Sequence, residues 1–160
     1  MSEISDVIQS KCLAFGDRVI RLNDYLLEQA ANRWSEGRRQ KEDTRRGKTL
    51  PSNISPLPSR IPVHLQSVAA LCNQLLRAGT SIGANNAEAT NAVSKTDYRA
   101  KSFIALKEAR ESLYWIDLLH RNNYIDDKQY NSIYADCEEL VKILVTRCKR
   151  INEEIERKGK

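Results

Sequence analysis

The chain has 160 residues, 41% of them hydrophobic and 29% charged, with a net charge of +5, which suits one soluble domain, residues 1–160, large enough to bury a core. Six Gly and four Pro are too few breakers for a many-turned β fold and speak for helices. No run of about 18 apolar residues is present to cross a membrane, and the N-terminus MSEISDVIQS lacks the basic and apolar regions of a signal peptide, so the expected location is cytoplasmic with no membrane partner.

The first helix is expected over 5–31. Ile8, Cys12, Phe15, Val19, Leu22 and Leu26 step alternately by four and three, the seam of a bundle helix. The pattern then stops, and 33–60, with Gly37, Gly47, Asn53 and three of the prolines, reads as a long exposed basic loop inserted in the domain. Its eight basic residues, Arg33, Arg38, Arg39, Lys41, Arg45, Arg46, Lys48 and Arg60, face three acids, an excess equal to the whole net charge of +5.

The second helix is expected over 62–92, opening on Pro62, whose missing N–H would have no helical partner anyway. Leu65, Val68, Cys72, Leu75, Gly79 and Ile82 form its stripe. Gly79, Gly83 and Ala87 recur at a spacing of four, which implies either close approach of another backbone or a break in the helix, since each glycine costs a helix about 1 kcal/mol. Ser94, with Asp97 three residues on, caps a third helix over 95–122 with inner face Ser102, Leu106, Ala109, Leu113 and Ile116. Asn122 and Asn123 end it, and Asp126 with Gln129 caps a fourth helix over 127–156. The stripe of that helix is Tyr130, Tyr134, Cys137, Val141, Leu144, Cys148, Ile151 and Ile155. Helices of matched length joined by short turns predict an all-α, antiparallel up-down-up-down four-helix bundle.

No catalytic constellation is legible. His64 and His120 lie far apart, and no Ser/His/Asp or Cys/His signature surrounds them. A carboxylate-bridged di-metal bundle needs two Glu-x-x-His pairs, whereas only Asp117 and His120 have even that spacing, so neither a metal nor a cofactor is expected. Gly79-Thr-Ser-Ile-Gly83 lacks the phosphate-loop pattern. The four cysteines fall on core stripes, as small buried hydrophobes do. Arg77, Glu88, Glu108 and Glu111 belong either to ion pairs within or between protomers or to a solvated charged face. The basic loop admits two readings: phosphate neutralisation with counterion release, with Trp34 available to stack on a base, or a solvated linker. The tail from Thr146 to Lys160 adds six basic residues against three acids.

From Leu75 to Tyr124 the chain carries RAGTSIGAN-x-AEA, ALKEARES and YW-x-x-LL, followed by DCEELVKIL in the fourth helix. These pieces, in this order, resemble the bacterial four-helix bundle proteins encoded in intervening sequences of 23S rRNA genes. The resemblance spans the chain apart from the loop. It implies a homo-oligomer, a pentameric ring, and is distantly similar to the accessory proteins of diversity-generating retroelements, which bind nucleic acid and a reverse transcriptase. On that footing Arg77, Gly79, Gly83, Ala87, Glu88, Glu108 and Glu111 are expected in or beside close helix contacts. Two departures stand out: Asn86 where the family has an apolar residue, and the length of the 33–60 segment. The functional expectation is a non-enzymatic oligomeric accessory protein that binds RNA or DNA through its basic loops with little sequence preference, with a reverse transcriptase or other nucleic-acid enzyme as a possible partner; the alternative is a scaffold whose loop docks an acidic protein.

Overall fold

The computed structural model describes residues 3–46 and 63–158, with side-chain burial over 5–36 and 65–157. Four helices follow one another: α1 (Glu3–Arg46), α2 (Val63–Thr90), α3 (Lys95–Arg121) and α4 (Asp127–Lys158). Each packs on the next, and α4 closes back on α1 with the lightest contact of the four seams. Cross-helix pairs run in opposite order along neighbouring helices, which makes the bundle antiparallel. Ser5 meets Thr90 while Gly83 and Gly79 meet Cys12 and Val19, and Lys95 meets Glu154 while Cys137 meets Ala109.

The turns follow from their sequences. Ser94 is extended (φ −153°, ψ 163°) and its Oγ accepts the Asp97 N–H at 3.1 Å, while Asp97 Oδ2 accepts the Val93 N–H at 3.2 Å. At the other end Asn123 takes φ 58°, and the Tyr124 N–H reaches back to Leu119 O at 2.9 Å, the closure expected of a helix ending on a left-handed residue. Asp126 and Gln129 then form a reciprocal capping box: Gln129 N–H donates to Asp126 Oδ1 at 2.7 Å, and Asp126 N–H to Gln129 Oε1 at 3.0 Å.

The core runs the length of the bundle. Phe15 and Val19 of α1, Val68 and Ile82 of α2, Ile116 and Leu119 of α3, and Leu140 and Leu144 of α4 are all fully buried. Each such side chain contributes about 1.5–3 kcal/mol relative to exposure. The α4 stripe is wider than the expected one. Ile133 and Leu140 are buried in addition, while Tyr130, Tyr134 and Val141 pack half-buried against the core, which leaves the Tyr130 hydroxyl free to reach Asp117. The helix α2 is continuous through Gly79 and Gly83.

The expected loop over 33–60 needs correction in its first half: α1 continues as helix to Arg46, far beyond residue 31. Residues 32–46 are mostly Arg, Lys, Glu, Gln and other polar types with the single Gly37, and these cost a helix little. Loss of apolar periodicity therefore marks where α1 leaves the core rather than where it ends. At 1.5 Å per residue its 44 residues make it about 24 Å longer than the 28-residue α2.

Candidate functional site

Among the described residues the last buried one on α1 is Leu26, and Ala30 is half-buried. Arg33 follows, exposed at the rim of a small cleft with Val68 and Tyr124, so the basic stretch begins where the buried stripe of α1 ends. Arg38, Arg39, Lys41, Arg45 and Arg46 lie on the helical backbone of α1 with their side chains outside the described residues, and Lys48 and Arg60 lie outside them altogether.

The small residues of α2 face α1. A Cβ on Gly79 would sit 3.0 Å from Val19 Cγ2 and 3.4 Å from Phe15 Cε1, and one on Gly83 would sit 3.4 Å from Cys12 Cβ. These glycines therefore let two helices of the same chain approach, with Ala87 half-buried one turn further on. Arg77, Glu108 and Glu111 share the outer side of α2 and α3. Partial burial, then repulsion from Glu111, push the Glu108 pKa up, and Arg77 offsets this. Glu88 pairs with Lys101 across the same two helices.

Chemically reactive types are occupied structurally. His120 Nε2 lies 2.7 Å from Asp127 Oδ1 and its ring stacks on Tyr130 with centroids 4.2 Å apart, pinning the α3–α4 turn. Tyr130 donates its O–H to Asp117 Oδ1 at 2.8 Å, which, ahead of burial, pushes the phenol up to about 12. His64 lies in the first turn of α2, its side chain outside the described residues. All four cysteines are free and buried. Burial pushes Cys12 and Cys72 up to about 11 and Cys137 up to about 12, away from the thiolate that nucleophilic or metal chemistry uses. Among the described residues no cluster of three or more His, Cys, Asp or Glu is placed to hold a metal ion.

One polar layer crosses the core. Asn86 is fully buried on α2, where its Nδ2 donates to Gln9 Oε1 of α1 at 2.5 Å and its Oδ1 accepts from Arg147 Nη1 of α4 at 2.6 Å. The Arg147 guanidinium also lies 5.9 Å from the Tyr98 ring centroid of α3. All four helices thus meet at this level, and the amide's donor and acceptor sides are both satisfied, as a buried amide requires.

Beside this layer the seam between α1 and α4 opens. Lys11–Glu139 (2.9 Å) and the Arg18–Asp136 pair hold it closed along its middle. Toward the N-terminus of α1 lies a groove of about 700 Å³. Ile8 and Ile151, both buried, and the half-buried Ile143 are its aliphatic members, and Lys95, Lys142, Arg147 and Arg150 are its cations. Among the described residues Glu154 is the single carboxylate on its wall, and it pairs with Lys95 at 3.0 Å.

A sequence model of the 23S rRNA-intervening sequence proteins matches residues 50–146. This chain belongs to the 23S rRNA-intervening sequence protein family. A comparison with curated proteins gives no match. Among solved structures, one similar chain is a protein with unknown function from the S23 ribosomal protein family of Bacteroides thetaiotaomicron VPI-5482. It is 32% identical, the match covers 91% of this chain and 98% of that one, and the TM-score is 0.66.

For this intervening-sequence family member, two features escaped the sequence reading. Asn86 was visible as a departure at a core position, but its partner Arg147 lies 61 residues away on another helix, and no spacing rule pairs them. The second is a stripe on α1, Leu13, Ile20, Leu27 and Trp34, all exposed, with Leu13 at 60%. These residues recur every seven positions, a seam beside the core seam. That signal was present in the sequence and was masked by the stronger inner stripe.

Proposed function

We propose that this protein is a non-enzymatic, oligomeric accessory protein that binds RNA or DNA through phosphate contacts, with the basic segment of α1 and the residues after it as the contact. The observation that carries the reading is the continuation of α1 as helix beyond its buried stripe, where six basic residues from Arg33 to Arg46 face three acids on a continuous helical backbone. Such an element can lie along a polyanion, and each neutralised phosphate releases counterions. Backbone contacts carry no base information, so little sequence preference follows.

Oligomerisation is supported by the α1 stripe, because a row of large apolar side chains left in water is unusual unless it meets another surface. A ring of such protomers, five in the reading taken from the family resemblance, presents several basic arms to one nucleic acid. Linked weak sites then act together when geometry permits. The same arms could serve a nucleic-acid enzyme such as a reverse transcriptase by delivering its template.

The test is fluorescence anisotropy with single-stranded RNA and with DNA duplexes, on the wild type and on a variant with Arg38, Arg39, Arg45 and Arg46 changed to Ala. Binding that the variant loses supports the reading. Binding of an acidic protein segment in place of nucleic acid moves the scaffold reading ahead.

A further inference from the structure

We infer that the groove between the N-terminal turns of α1 and the C-terminal half of α4 is a binding site for an amphipathic anion, a ligand with a phosphate or carboxylate head and an apolar body. Three observations converge there. The groove is about 700 Å³, within the usual size of a small-molecule site, and such sites combine an apolar lining with a few placed polar groups. Its aliphatic members are isoleucines from two helices, the buried Ile8 on α1 and Ile151 on α4 with the half-buried Ile143, which accommodate an apolar body and offer it no hydrogen bond.

Among the described residues the cations at its wall outnumber acids four to one, and the acid is already matched with Lys95. Lys142 is tied to Glu138 at 2.8 Å. Arg147 is the positioned one. Its Nη1 is committed to the buried Asn86, which fixes the guanidinium, and an arginine has further N–H donors in a planar fork suited to a phosphate or carboxylate. Arg150, one turn along α4, is exposed and has no ion-pair partner among the described residues. The polar layer thus has a second consequence: it holds one anion-binding donor set still beside an apolar cleft. A bare phosphate would leave the isoleucines unused, and an uncharged chain would leave Arg147 and Arg150 unanswered. One ligand with both parts satisfies each.

This inference does not rest on nucleic-acid binding, since the groove lies at the opposite end of the bundle from the α1 extension. Isothermal titration calorimetry of the full chain with decyl phosphate, kept below its micelle concentration, tests it. Inorganic phosphate and 1-decanol supply the head and the body separately, and phosphatidic acid vesicles present the same head at a bilayer. The expected result is one saturable site per protomer for monomeric decyl phosphate, at least about tenfold tighter than for either half. Arg150→Glu should weaken it at least about tenfold, and Thr146→Trp, an exposed position on the groove wall, should abolish it by filling the space. Circular dichroism on both variants should match the wild type, and the four-arginine variant of α1 should bind decyl phosphate normally. The inference is overturned if decyl phosphate binds no better than decanol or phosphate, if both variants bind it like the wild type, or if only the vesicles bind. It is equally overturned if an acidic amphipathic peptide binds the groove and decyl phosphate does not.

Discussion

Arg147 Nη1 donates to Asn86 Oδ1 at 2.6 Å, joining α4 to α2 through the centre of the bundle. Asn86 is fully buried, so its oxygen has no water to turn to. Arg147→Met should therefore cost about 1–3 kcal/mol, the penalty of an orphaned buried acceptor. Adding Asn86→Leu should recover much of that loss, because replacing both members with apolar groups removes the unmet acceptor. Urea unfolding of the two single variants and the double gives the coupling. Strict additivity would contradict the account of this layer.

Two glycines on neighbouring helices should respond in opposite directions. Gly79→Leu drives side-chain atoms into Val19 and Phe15 and should destabilise by about 1–3 kcal/mol. Gly16 has nothing within 4 Å of the place a Cβ would take, so Gly16→Ala should keep the helix-propensity gain of up to about 1 kcal/mol. Thermal melts read both; a stabilising Gly79→Leu would mean that α1 and α2 are further apart than described.

The Tyr130–Asp117 contact predicts an alkaline effect with a definite sign. The phenol's pKa is raised from 10.0 in the unfolded chain to about 12 in the fold, so the native state holds this proton more tightly. Its stabilising contribution is complete below pH 10 and is lost as pH rises through about 12. Tyr130→Phe should be less stable than wild type near neutrality, and the difference should shrink across that window in denaturant titrations at several pH values. A difference that grows with pH would reverse the assignment.

The exposed α1 stripe predicts how the proposed oligomer breaks. Ile20→Glu together with Leu27→Glu places two charges on positions that are 43% and 38% exposed in the single chain. Circular dichroism should be unchanged, while light scattering should fall to the 18.3 kDa protomer mass. A wild type that is already monomeric at micromolar concentration would end this reading.

Much of the fold was legible because bundle helices write their buried face into the sequence. Ile8, Cys12, Phe15, Val19 and Leu26 were placed by periodicity alone, and Ser94, Asn123 and Asp126 marked the turns by their capping chemistry. What failed was the boundary of α1, since periodicity reports contact with a core and is silent about a helix that has left it. The stripe of α4 was legible as well, with Cys137, Leu144, Cys148 and Ile151 buried and Tyr130, Tyr134 and Val141 packed half-buried against the core, while Ile133 and Leu140 on its flank were not picked out. The glycine spacing correctly signalled close helix approach, but spacing alone could not say whether the second helix belonged to the same chain. The Asn86–Arg147 layer draws its residues from four helices and the groove from three, which no local pattern encodes.

The central claim is that the basic segment of α1 from Arg33 onward contacts phosphates, and a salt titration of nucleic-acid affinity tests it most directly. For the wild type, the logarithm of the association constant should fall linearly with the logarithm of salt concentration, at roughly 0.7 to 0.9 per phosphate neutralised. With Arg38, Arg39, Arg45 and Arg46 changed to Ala, affinity should drop and the slope should flatten by about that amount for each phosphate no longer neutralised. Wild type and variant binding with the same affinity and the same slope, or no binding by the wild type at low salt, would contradict the claim.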